Sequence, residues 1–123
     1  MLYVAAGLLA VLAIGHSIIG EVRLIRSLAA RDDLPTLYGT TRFTGATLRF
    51  AWHVTSVLGL GLAAVLVEIA LGVGPAVLAS TIGWTLIACG LLPLVFTRGR
   101  HLSWAIFFAA GALCLIPFPV PAS

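Results

Sequence analysis

The sequence predicts an all-α integral membrane protein, a four-helix transmembrane bundle with both termini outside, and three observations carry that expectation. The first is composition. Of 123 residues, 61% are apolar and 9% charged, and the mean hydropathy is +1.15, which leaves far too little polar surface to cover a soluble globule of this size. The second is that the apolar residues gather in runs near the roughly 20 residues needed to cross a bilayer, and these runs use up almost the whole chain. The third is that all seven basic residues are arginines, set against four acids, and they flank the runs on one side only. Any function is therefore expected in the bundle or its short loops, within a single transmembrane domain spanning residues 1–123.

Leu2 to Gly20 is the first apolar run. No positive stretch precedes it and no small-residue cleavage pattern follows, so it is expected to be a retained first span rather than a signal peptide. Residues 21–45 form the expected cytoplasmic loop. Its first part, EVRLIRSLAA, stays helix-compatible while gaining charge, and Asp32, Asp33, Pro35 and Gly39 then supply turn chemistry. The second span is expected over 46–71, with Glu68 near its far end. Gly72 to Pro75 is a tight break, and proline at the first position of a helix loses no hydrogen bond, so Pro75 opens the third span, 75–96. Pro93 is expected to kink that span near its end. A second basic loop, TRGRH, leads to a short last span over 102–117, and Pro117, Pro119 and Pro121 mark an extended tail.

Positive charge sets the expected orientation. The first loop carries Arg23, Arg26, Arg31 and Arg42 with Arg49 at its edge, and the third connection carries Arg98 and Arg100, whereas the opposite side has none. Both basic loops are then cytoplasmic. The same arrangement argues against nucleic acid as a partner, which would call for a continuous basic face or a known module.

Polar residues inside a span need a reason, because a charged side chain there carries an insertion cost of roughly 2.5 to 3.5 kcal/mol. LRFAWHVTS, Leu48 to Ser56, drives Arg49, Trp52 and His53 into the second span, with Arg49 and His53 one turn apart on one face. On the first span, His16 and Ser17 lie just before Glu21. The two groups fall at the same depth on antiparallel neighbours, so Glu21 is expected to pair with Arg49, and His16 and His53 to meet about one turn deeper. His101 stands at the mouth of the fourth span beside Trp104, completing a polar layer in the cytoplasmic leaflet. Thr81, Thr85 and Cys89 form a mildly polar stripe on the third span that is expected to point toward that layer.

The candidate ligand-binding residues are thus His16, Glu21, Arg49, Trp52, His53 and His101. For the histidines the plain alternative is interhelical hydrogen bonding, the ordinary glue of membrane bundles. For Trp52, Trp84 and Trp104 it is packing or an interfacial belt. No metal site is expected, since His16 and Glu21 point roughly 140° apart on a regular helix and no HExxH or ExxH pair occurs. Haem b fits the expectation better, because two histidines at equal depth on antiparallel helices suit bis-histidine ligation, with an arginine to hold a propionate. A quinone or lipid headgroup would use His53 and Arg49 as donors. No nucleophile with a base and an orienting group is visible, so no catalytic residue is assigned. Cys89 and Cys114 are expected at different depths and reduced, and Gly7, Gly15, Gly59 and Ala63 to permit close helix approach.

The pieces GHSIIGE, Gly15 to Glu21, and LRFAWHVTS, Leu48 to Ser56, resemble those of small uncharacterised bacterial four-span inner-membrane proteins. The resemblance covers mainly the first two spans and implies a shared bundle and polar layer, without an activity, substrate or cofactor. It implies a location in the bacterial inner membrane. Two functional readings follow. One is an accessory or interaction protein in the lipid bilayer, homo-oligomeric or packed beside a larger membrane complex. The other is a membrane protein that binds haem, quinone or a metal through His16 and His53.

Overall fold

A computed structural model describes residues 1–117, and every regular element in that range is a helix. Helix α1 runs Leu2–Ala29, α2 Thr41–Leu71, α3 Pro75–Phe96 and α4 Ser103–Leu115. The first three are long and apolar enough to cross a membrane. At 13 residues α4 rises only about 20 Å, against a hydrocarbon core of roughly 30 Å. Of the expected proline-rich tail, Pro119 and Pro121 lie outside the described residues.

Local chemistry explains the helix ends. The run Glu21 to Ala29 continues α1 without a break, but Glu21–Ile25 forms a π-helical turn, in which the Arg26 N–H donates to the Glu21 carbonyl. Helix α2 starts at Thr41, ahead of the expected Ala46, because Thr40 caps it: its hydroxyl accepts from the Phe43 N–H at 3.2 Å. That leaves only residues 30–40 as a connection. They turn through Tyr38 and Gly39, both at positive φ, and the Thr44 hydroxyl pins them to α2 by donating to the Pro35 carbonyl and accepting from the Leu37 N–H. At its far end α2 stops in a Schellman motif. Gly72 sits at φ 69°, the Val73 N–H reaches back to the Glu68 carbonyl and the Gly72 N–H to that of Ile69. Pro75 opens α3, as the sequence predicts.

Backbone contacts between helices run from each helix to its sequence neighbours among the described residues. Among the described residues the α1 backbone approaches that of α2 but not α3 or α4, and α2 and α4 likewise stay apart. The four helices therefore stand in a row rather than closing into a bundle. The physical reason lies in what is buried. Large side chains such as Leu8, Val11, Leu12, Trp84 and Ile106 face outward, while Ala6, Ala13, Ala63 and Cys89 fill the seams. In lipid, apolar burial gives no drive toward closure, and small residues and polar pairs hold the contacts. Gly59 serves this purpose against Ala13. Gly7 and Gly15, from which the same was expected, have open space where a Cβ would stand.

Candidate functional site: the polar seam between α1 and α2

Glu21 is the hub of the polar layer. Arg49 grips it with both arms of its guanidinium, Nη2 at 2.9 Å from Oε1 and Nε at 3.2 Å from Oε2, the bidentate fork that arginine makes with carboxylates. His53 Nε2 lies 3.1 Å from the same Oε2. Arg26, just past the π-helical turn, adds a looser contact at 3.6 Å. The expected pairing of Glu21 with Arg49 across the first two helices is what the structure contains.

The hydrogen bonds fix the histidine tautomers. A carboxylate only accepts, so His53 Nε2 carries the proton toward Glu21, and in the neutral ring Nδ1 accepts from the Ser17 hydroxyl at 2.6 Å. On the other side of the seam, the Thr55 hydroxyl donates its single proton to the Trp52 carbonyl at 2.6 Å. It therefore accepts from His16, whose Nε2 lies 3.0 Å away. The Trp52 indole N–H donates to the His16 carbonyl at 3.0 Å, and the two rings stack with centroids 4.2 Å apart. Gly20 makes room for this, since a Cβ there would stand 2.1 Å from the indole nitrogen.

The structure thus divides the expected site. His53 belongs to the Glu21 cluster and His16 to a separate stack with Trp52 and Thr55, so the two histidines do not converge on one position. His101 joins neither. Its ring meets Phe50 edge-on at 4.8 Å and bonds the Ser103 hydroxyl, and its N–H is held by Thr97. No group of three histidine, cysteine or acidic side chains among the described residues is placed to hold a metal. Both cysteines are free thiols.

Three features escaped the sequence reading. The threonine stripe of α3 turns the other way from its expected direction: Thr81 donates to Glu68 at 2.5 Å, at the end of α2 away from the arginines, and the Thr85 hydroxyl folds back onto the Thr81 carbonyl. Among the described residues, Glu68 Oε2 is buried without a partner. Second, a cavity of about 390 Å³ opens between α1, α2 and α3, lined by Ser17, His53, Leu60 and Phe96, with a buried Ser56 hydroxyl that has no partner among the described residues. His16 does not line it. Third, five of the seven arginines border one cleft of about 710 Å³ at the end of the helix row. In the loop that forms one of its walls, the Arg31 guanidinium donates to Asp33 at 2.7 Å and holds that carboxyl below its ordinary range. Comparison of the chain with family models, with curated proteins and with solved structures yields no match.

Proposed function

We propose that this chain is a small non-enzymatic membrane protein that works by packing in the plane of the bilayer, as a homo-oligomer or beside a larger complex. One observation carries the reading: the polar seam is satisfied from within. Both nitrogens of His53, both oxygens of Glu21 and the fork of Arg49 are committed to one another or to Ser17, which is the pattern of an interhelical lock. Meanwhile the α1 backbone approaches only that of α2 among the described helices, and α1 presents Leu8, Val11, Leu12, Ile18 and Ile19 outward. In this reading all four helices cross the bacterial inner membrane with both termini outside. Convergence of Arg31, Arg42, Arg49, Arg98 and Arg100 on one cleft supports a common, cytoplasmic side for the two basic loops.

Protein purified in mild detergent tests the proposal. A protein mass in multiples of 12.8 kDa, or co-purification with a membrane complex, and a visible spectrum without absorbance bands are expected. A monomer with a reducible haem band would refute it. For orientation, Thr36→Cys in a chain lacking Cys89 and Cys114 should resist an impermeant maleimide in intact spheroplasts.

A second reading rests on the cavity beside His53. The Ser56 hydroxyl, unpartnered among the described residues, sits in a mainly apolar slot that also includes Ser17 and His53, which suits a lipid-soluble acceptor such as a quinone. Solvent extraction of the purified protein followed by ultraviolet spectroscopy distinguishes the two readings, since packing alone retains no quinone.

A further inference from the structure

The arginines are more than topology signals. Arg31 from the α1–α2 connection, Arg42 and Arg49 from the first turns of α2, and Arg98 and Arg100 from the α3–α4 loop border one cleft, and among the described residues the only acid on its wall is Asp32. Arg31 is engaged by Asp33 and Arg49 by Glu21, but Arg42, Arg98 and Arg100 form no salt bridge among the described residues. We infer that this cleft binds a phosphate-bearing anion, of the kind carried by an anionic phospholipid headgroup or by a free oligophosphate.

Several features select that chemistry. Guanidinium groups match phosphate oxygens in a planar, two-pronged geometry and are weakly hydrated, so they suit phosphate better than any other cation in proteins. The cleft is framed by fixed elements. Thr97 anchors the α3–α4 loop through its hydroxyl, donating to the Pro93 carbonyl and accepting from the His101 N–H. The Arg100 guanidinium lies 5.8 Å over the ring of buried Phe43. A Cβ at Gly45 would stand 3.4 Å from Ala29 Cα, in ordinary van der Waals contact, so the end of α1 and the start of α2 adjoin at the wall. The volume, about 710 Å³, lies within the roughly 300 to 1,000 Å³ typical of small-ligand sites. Its position, at the ends of membrane-length helices, is the depth of lipid headgroups, and basic pockets between such helices recognise anionic lipid.

Binding to the full-length protein in a neutral detergent tests the inference, read by thermal shift and by native mass spectrometry. The probes are phosphatidylglycerol, zwitterionic phosphatidylcholine and inorganic pyrophosphate. Saturable stabilisation by phosphatidylglycerol and not by phosphatidylcholine assigns the site to a headgroup, whereas saturable stabilisation by pyrophosphate alone assigns it to a soluble phosphate. In either case Arg98→Gln with Arg100→Gln should weaken binding about tenfold or more, and Arg42→Gln, from the α2 wall, should weaken it independently. Arg23→Gln, which removes one charge away from the cleft as Arg42→Gln does within it, should change it by less than about twofold. Absence of saturable binding by either probe would overturn the inference. So would equal losses in the Arg23 and cleft variants, since that result would mean net charge rather than a built site.

Discussion

The seams at the two ends of the helix row are held by opposite means. Between α1 and α2 the contact is chemical: an arginine fork, two histidines and an indole, each with a defined partner. Between α3 and α4 it is steric. A Cβ at Gly83 would stand 2.9 Å from the Gly111 carbonyl, one at Gly111 would stand 2.8 Å from the Gly83 carbonyl, and Gly90 faces Phe108 in the same way. The difference shows two solutions to one problem. Where burial of apolar surface gives no net attraction, helices adhere either through interhelical hydrogen bonds or through close backbone approach at small residues.

The same substitution on each side separates the two mechanisms. Gly111→Ala sets a methyl group against the Gly83 carbonyl, which does not yield without parting the helices, and against the end of Ile87, and should lower stability in detergent by about 2 to 3 kcal/mol. Gly20→Ala meets the Trp52 ring, which is able to swing aside, losing its hydrogen bond and its stack on His16. The expected loss is smaller, about 1 to 2 kcal/mol. Gly7→Ala, into open space, supplies the baseline. Thermal unfolding of the three variants checks the order, and a larger loss at Gly20 than at Gly111 would reverse the comparison.

The middle seam, between α2 and α3, combines both means. Thr85 packs onto Gly61 while Thr81 donates to Glu68. Glu68 lies 19 residues past Arg49, about 28 Å along α2, close to the thickness of a hydrocarbon core, so one helix carries a polar contact near each membrane face. Thr81→Val leaves Glu68 with neither oxygen bonded and should lower stability by about 1 kcal/mol, measured as a shift in the unfolding midpoint.

The smallest effect belongs to the exposed loop. The Arg31 hydrogen bond holds the Asp33 carboxyl below its ordinary range. The folded value is thus lower than the unfolded one, so the pair's contribution is present above the usual carboxylate pKa of about 4 and fades as pH falls through the folded value. Both side chains are solvent-exposed, and no resolvable change in unfolding midpoint is expected for Asp33→Asn at pH 7. Carbon-detected titration of Asp33 should show a lowered pKa that returns to the ordinary range in Arg31→Gln.

Much of this was legible in the sequence. Composition and run length pointed to the helices, and equal depth on antiparallel neighbours pointed to the Glu21–Arg49 pair. What depth cannot give is rotation about the helix axis. His16 and His53 share a depth, yet Trp52 wedges over Gly20 and claims His16, while Glu21, entering the π-helical turn, claims His53. Thr81 differs for another reason, position along the helix: its partner Glu68 is a span's length from the arginines. The arginine cleft was hidden because it is assembled from three separate segments that only the fold brings together. His101 was drawn away from the polar layer by the local geometry of its own loop, where Thr97 and Ser103 hold it against Phe50.

The central claim is that the α1–α2 seam is one coupled lock, and a double-mutant cycle on its hub tests it most directly. Glu21→Gln strands Arg49 and His53 without their carboxylate, whereas Glu21→Gln with Arg49→Gln removes the unpaired guanidinium as well. Thermal unfolding in detergent of the two single variants and the double should give a coupling on the order of 1 kcal/mol, softened by interfacial water, with the double less destabilised than the sum of the singles. Strictly additive losses would mean that Glu21 and Arg49 act independently, and would contradict the lock.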